Sequence, residues 1–404
     1  MPVLDTPRPR YLSRVMPFAG NGNAKVLIGI RRSGKSTLLR MMADSMGPGI
    51  DAVFLDMERW QNRSYRDPDA LYGLISGSLA GGGRGCLFID EVQDVREWES
   101  VIRSLIAERR CDVYLSGSNS RLLSGEFATF LSGRVNALDV FTLTFSECLE
   151  FEEAYRGPAD REAVFDKFLR FGGFPNVWRN DYAESQAHSE ISDITDAIIK
   201  RDIADRHGVR NTEVLDRILS FICDNVGNPM SVNNIFASLR SEDGSIGRDM
   251  VYDYVGYLEE SCLIVKAPAY DVKGRKHLTS KYKYYLSDIG IKSARLGFRP
   301  DDISGYMENI LYLELRSRGY DVWVGDCDGR AIDLVGEMNG KKVYVQATSE
   351  LSGEETVRRE FGSLRGIDDN HPKYVVTLRD GPLNADIDGI RCRRLIDFLE
   401  MREF

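Results

Sequence analysis

Lys25-Val26-Leu27-Ile28-Gly29-Ile30-Arg31-Arg32-Ser33-Gly34-Lys35-Ser36-Thr37 is the stretch that decides the fold. Lys25–Ile30 reads as a short apolar strand, and Lys35 opens a helix running to Met46. Between them the residues fit G-x-x-x-x-G-K-[ST], and the spacing has a physical cause. Glycines let the backbone wrap a phosphate, with the N–H groups of the loop pointing inward. Lys35 then reaches the outer phosphates, and the Ser36 hydroxyl is placed to ligate Mg²⁺. The helix that follows adds the positive end of its dipole. Gly29 through Thr37 are therefore the candidate nucleotide-binding residues.

Working outward, the chain alternates strands and helices. Val53–Met57 is a second strand. Asp67–Ala80 is a helix capped by Asp67 with Pro68 in its first turn. Cys86–Ile89 is a third strand, Trp98–Arg109 an amphipathic helix, and Val113–Leu115 a fourth strand. Continuous apolar strands between helices imply a parallel sheet covered on both faces. Gly81-Gly82-Gly83 precedes a strand and so reads as a loop, not a phosphate cradle.

Cys86-Leu87-Phe88-Ile89-Asp90-Glu91 supplies the other half of the site. A buried strand delivers Asp90 to the Mg²⁺ shell, and Glu91 stands where it can polarise an attacking water. A water-activating carboxylate beside the metal ligand points to hydrolysis. In Leu115-Ser116-Gly117-Ser118-Asn119-Ser120, either Asn119 or Ser118 is a candidate sensor of the outermost phosphate. Arg134, in Leu131-Ser132-Gly133-Arg134, is a candidate finger reaching the nucleotide of a neighbouring subunit, which makes a homo-oligomer an expected partner.

The chain has 404 residues, more than one compact domain normally holds. It is 43 % hydrophobic and 28 % charged, as soluble globular proteins are. A net charge of −9 argues against whole-surface attraction to nucleic acid or anionic membrane. Neither a signal peptide nor a membrane-spanning run is legible. Seven cysteines without a C-x-x-C pair fit a reducing cytoplasm, not zinc or disulfides.

The order of these motifs resembles the AAA-type ATPases of the additional-strand class. More closely, the chain is similar to a prokaryotic family of such ATPases with a C-terminal domain of unknown function. Matching stretches are Ile28–Leu39, Leu87–Glu91, Gly117–Ser124, Leu131–Arg134, Phe171–Pro175, Lys283–Gly290, Glu308–Tyr320 and Ala331–Val335. The resemblance implies that Gly172-Gly173-Phe174-Pro175 lies in a small helical lid near the adenine.

Downstream, Leu215–Asp224, Val232–Leu239 and Arg248–Ser261 read as three helices of a winged helix-turn-helix. Lys266–Lys283 would be its wing. That segment carries Lys266, Lys273, Arg275, Lys276, Lys281 and Lys283 against Asp271, a net of five positive charges. Lys273, Arg275 and Lys276 are thus candidate contacts to nucleic-acid phosphate. Asp249, Asp253, Glu259 and Glu260 on the third helix would repel a duplex, so a protein partner is the competing expectation. In the last part, Glu308 and Glu314 sit on a helix, Asp333 on a strand, and Gln346-Ala347-Thr348 ends a further strand. A PD-(D/E)xK nuclease has Glu, Asp, then Glu-x-Lys in this order to bind Mg²⁺. Gln346 and Thr348 replace the last acid and lysine, which predicts the fold without the cleavage.

The expected architecture is α/β in four parts. Residues 1–144 form a P-loop NTPase (AAA-type) core, 145–210 a helical lid, 211–290 a winged helix-turn-helix, and 291–404 a PD-(D/E)xK-like α/β domain. The expected function is Mg²⁺-dependent ATP hydrolysis driving a conformational switch. The alternatives are an ATP-regulated DNA-binding or defence factor and an ATP-dependent nuclease.

Overall fold

The computed structural model describes residues 6–47, 49–79, 85–120, 133–351, 353–378 and 386–404. The side chains of residues 279–281, Leu131, Ser132 and the Gly81–Gly83 loop lie outside the described residues. The chain forms two compact units, residues 1–142 with 260–262, and residues 143–259 with 263–404.

Among the described residues the first unit holds a five-stranded sheet with its strands all parallel: β1 (Ala24–Ile28), β2 (Ala52–Asp56), β3 (Gly85–Asp90), β4 (Cys111–Gly117) and β5 (Val135–Asp139). Their order is β2-β3-β4-β1-β5. The period-two pattern of the apolar runs builds both faces. Val26, Ile28, Leu87, Ile89, Val113 and Leu115 turn to a core that includes Leu71 and Ile75 of helix Pro68–Ser78 and Ile102 and Leu105 of helix Trp98–Ala107. Leu27, Phe88 and Tyr114 turn to the other core, with Leu38, Leu39 and Met42 of helix Lys35–Ser45. Fully buried strands of this kind belong to parallel sheets. Asp67 caps its helix as expected, accepting from the N–H of Ala70 at 3.2 Å. Strand β4 lies between β1 and β3, so an extra strand separates the phosphate loop from the Asp90 strand. Strand β5 was not expected from the sequence.

The second unit begins with helices Phe145–Arg156, Arg161–Phe171, Pro175–Arg179 and Glu184–Ala197. Helices Thr212–Asp224, Val232–Glu242 and Arg248–Glu260 follow, then the hairpin β6 (Ile264–Asp271) and β7 (Lys276–Leu286). After helix Ile303–Arg318 come β8 (Asp321–Cys327), β9 (Arg330–Met338) and β10 (Lys341–Thr348). Helix Glu354–Arg365, β11 (Lys373–Thr377), β12 (Asp386–Ile387), β13 (Ile390–Arg394) and helix Leu395–Glu400 complete the unit.

The expected helices and hairpin are present, but the hairpin is not a free-standing wing. Strand β6 pairs in parallel with β8, Ala269 opposite Val324 and Asp271 opposite Asp326. The sheet among the described residues runs β12-β13-β11-β10-β9-β8-β6-β7. A continuous backbone ladder thus crosses the expected boundary at 290/291. The boundary at 210/211 is likewise not a division between compact units. Helices at 145–156 and 161–171 are tied to the last helix by Arg161 to Asp397 (2.5 Å) and by Ser146 to the carbonyl of Leu399 (3.2 Å). The Gly172–Pro175 turn is held by Asp288, whose carboxylate accepts from the N–H of Gly173 at 2.8 Å. No helix among the described residues is long and apolar enough to cross a membrane.

Candidate functional site

The carboxyl ends of β1, β3 and β4 bring the core motifs together. In register, Ile28 lies opposite Gly117, and Ile89 opposite Leu115. The loop after β1 therefore sits level with Ser118 and Asn119 after β4 and with Asp90-Glu91 at the end of β3.

Two glycines have local reasons. A Cβ on Gly29 would stand 2.0 Å from the carbonyl oxygen of Val140, whose N–H donates to the carbonyl of Ile28 at 2.6 Å. Close backbone approach, not only phosphate wrapping, thus requires this glycine. Gly34 has φ +96°, a left-handed conformation that side chains resist. Arg32 shares that region at φ 67°.

Lys35 is buried, and its ammonium donates to the carbonyls of Gly29 and Ile30, both at 3.0 Å. The Ser33 hydroxyl is buried and makes no hydrogen bond among the described residues. A buried cation whose hydrogen bonds among the described residues go to neutral carbonyls, beside an unmatched hydroxyl and the start of a helix, fits an anion. The Ser36 hydroxyl lies near enough to Asp90 to favour its ionised form, so the two candidate Mg²⁺ ligands share one neighbourhood. These oxygen donors suit a hard divalent cation. Arg31 pairs with Glu58 at 2.7 Å, and its charge also favours the ionised form of Glu91. Thr37 lies in the first turn of the helix.

The two acids are held differently. Burial pushes the Asp90 carboxyl up, against hydrogen bonds from Ser116 and Ser36. Burial acts the same way on Glu91, but the Lys35 charge and the Gln93 bond outweigh it and leave that carboxyl below its ordinary value. Glu91 accepts from Gln93 and, at 3.1 Å, from the Ser118 hydroxyl. Its φ is +55°, a conformation that costs a non-glycine residue about 1–3 kcal/mol and persists only where surroundings impose it. Of the two sensor candidates, Ser118 bonds Glu91 directly, while Asn119 is buried just beyond β4.

Arg134 is not brought to this site. Its carbonyl accepts from the N–H of Ala24, at the start of β1, where β5 also starts. The 5 residues of β1, at about 3.3 Å each, separate that end from the phosphate loop. Arg134 therefore lies at the opposite end of β1 from that loop.

Three contributors carried no motif. Ser116 donates to Asp90 and accepts from the N–H of Glu91 at 3.2 Å, bridging the acids. Gln93 clamps Glu91. Arg8 is buried and donates to the carbonyls of Ser33 (3.0 Å), Phe141 (3.1 Å) and Thr142 (3.1 Å), bracing the loop from behind. Only Ser116 and Gln93 had a signal, their closeness in sequence to Asn119 and Glu91.

The second unit holds another acid pair. Glu308, from helix Ile303–Arg318, and Asp333, from β9, converge on Lys283 of β7. The Lys283 ammonium is 2.6 Å from Glu308 and 3.7 Å from Asp333, and 6 % exposed. Tyr285 also donates to Glu308. Asp333 accepts from the N–H of Ala347 at 2.9 Å and donates its own N–H to the Gln346 side chain at 3.3 Å. Burial and the neighbouring Asp333 push Glu308 up to about 7, against the Lys283 charge. Burial also raises Asp333. Glu314 faces elsewhere, pairing with Arg318 at 2.6 Å. Thr348 donates to the carbonyl of Glu350.

The hairpin's positive charge is smaller at the surface than its residue count suggests. Lys283 is buried, and Lys273 pairs with Asp328. Lys266 lies over the Tyr282 ring at 4.0 Å. Arg275 and Lys276 are exposed.

Residues 21–149 match the family described as an AAA domain, and residues 162–302 match a domain of unknown function. An uncharacterized protein of Haemophilus influenzae is 32 % identical over 397 residues, covering 97 % of this chain and 98 % of that protein. A Methanocaldococcus jannaschii protein is 28 % identical over 305 residues, 73 % of this chain and 67 % of its own length. Among solved structures, the replication initiator DnaA bound to AMPPCP and single-stranded DNA aligns at 13 % identity with a TM-score of 0.32, over 64 % of this chain and 90 % of that one.

Proposed function

From its membership in one family with the Haemophilus influenzae protein, over nearly the whole length of both, and from its AAA domain, we propose that this chain is a Mg²⁺-dependent ATPase whose cycle drives a conformational switch. The observation that carries this reading is the convergence of Lys35 and Ser36, after β1, with Asp90 and Glu91, at the end of β3, on the same edge of the sheet with β4 between the two strands.

Each residue has its part. The loop N–H groups from Gly29 to Ser36 surround the phosphates, and Lys35 turns from its carbonyl partners to their charge. Ser36 and Asp90 hold Mg²⁺, which when bound neutralises charge growing on the phosphoryl oxygens. Glu91, ionised because Lys35 and Gln93 favour the anion, accepts a proton from the attacking water. Gln93 and Ser118 fix the direction of its carboxylate. Asn119 contacts the outermost phosphate. Arg134 serves the nucleotide of a second copy, consistent with its place at the far end of its own sheet. The three helices and hairpin at 211–290 act as a winged helix, and β8–β10 with helix Ile303–Arg318 as a nuclease-like scaffold.

Phosphate release by the purified full chain tests the reading. Turnover should require Mg²⁺ and stop on chelation. Arg134→Ala should bind ATP yet turn over slowly, and mixing it with Glu91→Gln subunits should restore part of the rate. No Mg²⁺-dependent release at any protein concentration would overturn the hydrolase reading. Failure of the mixture alone would overturn only the shared site.

The exposed Arg275 and Lys276 support one second reading, an ATP-regulated nucleic-acid binder or defence factor with little turnover.

A further inference from the structure

A cavity of about 860 Å³ opens over Lys283, Glu308 and Asp333 in the second unit, and no residue of the nucleotide site lines it. Its volume is within the ~300–1,000 Å³ of ordinary ligand sites. Arg330, Arg358, Arg359 and Arg365 line it and are exposed. In a chain of net charge −9, four arginines around one opening are a local reversal of sign.

The acids of this cavity are already answered from within. Glu360 takes Arg359 at 2.7 Å, and Lys283 takes Glu308 at 2.6 Å. Arg330 donates to the neutral carbonyl of Gly362, at 3.2 Å. Arg358 has no ion pair among the described residues. Arg365 pairs with Asp388, itself 64 % exposed, and such a surface pair is weak and opens readily. The cavity therefore offers guanidinium groups to a ligand and no free carboxylate pair to a metal ion.

Arg330 begins β9, just after Asp328, and Asp328 pairs with Lys273 on the β6–β7 turn. The charge of Arg330 is felt at Lys273. Arg330 thus stands at the cavity rim on the side of the β6–β7 turn. Several guanidinium groups around one opening suit a ligand that carries more than one negative charge, and the planar guanidinium fork matches phosphate oxygens two at a time.

We propose that this cavity binds the phosphodiester backbone of a nucleic-acid strand through Arg330, Arg358, Arg359 and Arg365, and holds it uncut. Holding without cutting follows from Lys283. Its ammonium lies between the two acids that converge here, so the strand meets a neutralised floor in place of a metal-bound water. The proposal does not depend on ATP hydrolysis.

The test uses the full chain and a fluorescein-labelled single strand of about 20 nucleotides, followed by anisotropy across a salt series. Wild type should bind at low salt. Each phosphate neutralised adds about 0.7 to the log–log salt slope for single strands. Arg330→Ala with Arg358→Ala should flatten the slope by about 1.4 and weaken binding by about tenfold or more. Arg330→Lys with Arg358→Lys should retain most of it, separating lost charge from lost fold. Absent binding in wild type, or unchanged binding in the double alanine variant, overturns the proposal. Shortening of the strand with Mg²⁺ overturns its second half. Displacement by inorganic phosphate beyond that by chloride of equal ionic strength would assign the site to free phosphate and overturn the strand.

Discussion

Lysine and two carboxylates meet twice in this protein, and the two meetings have opposite chemistry. In the core, the Lys35 ammonium rests on the carbonyls of Gly29 and Ile30, while Asp90 is held by Ser116 and Glu91 by Gln93 and Ser118. Among the described residues the cation and the anions make no direct hydrogen bond to one another, and each bonds neutral partners. In the second unit, Lys283 bonds Glu308 directly at 2.6 Å and lies 3.7 Å from Asp333. There the charges satisfy one another. Residue types alone do not make a reactive site; what each charge is paired with does. A buried charge matched by neutral dipoles remains available, whereas a buried ion pair is costly to break.

The comparison is sharpened most by Glu91→Gln, which keeps size and hydrogen bonding but removes the base. ATP should bind normally while turnover falls ~10²–10⁴-fold, the usual worth of a general base. Single-turnover kinetics beside nucleotide binding would check this, and undiminished turnover would reduce Glu91 to a structural residue.

Lys283→Met attacks the other meeting. Leaving two buried acids without their cation should cost about 3–5 kcal/mol of stability, read from urea unfolding. Adding Glu308→Gln should recover part of the loss. If Lys283→Met is neutral, the second cluster is as loosely paired as the first and the contrast fails.

A third expectation concerns pH. Glu308 is raised to about 7 from its ordinary 4.5, so the folded chain keeps a proton that the unfolded chain gives up. Its contribution is full below about 4.5 and is lost as pH rises through about 7, at roughly 1.4 kcal/mol for each pH unit between the two values. Glu308→Gln should flatten the decline in melting temperature between about pH 5 and pH 8 relative to wild type. An equal decline in the variant would assign it to other groups.

The smallest effect expected is on affinity. Lys35→Ala should weaken ATP binding by ~10-fold or more, since about 1.4 kcal/mol is tenfold. Titration calorimetry on the folded variant measures it, and unchanged affinity would remove Lys35 from the phosphate contacts.

Much of this was legible in the residues alone. The apolar runs at Lys25, Cys86 and Val113 each became a strand of the first sheet, because a strand buried on both faces leaves an uninterrupted apolar signature. Strand β5 escaped because Val135–Asp139 carries Asn136 and Asp139 and lies at the sheet edge. The hairpin's charge count misled for a different reason: a lysine in sequence has no address, and the Lys283 ammonium is turned inside the protein.

By itself the sequence determined the local grammar: the loop from Gly29 to Thr37, the acids at the end of β3, the helices, and the hairpin. Each depends on neighbours within a few residues, where steric limits and hydrophobic period act. Tertiary structure decided which charges pair. Ser116 bridging Asp90 and Glu91, Arg8 bracing the phosphate loop, β6 joining β8, and Lys283 lying between Glu308 and Asp333 all join residues 25 or more positions apart. Those partnerships arise from how sheets and helices stack, and electrostatic pairing acts through space, indifferent to order along the chain.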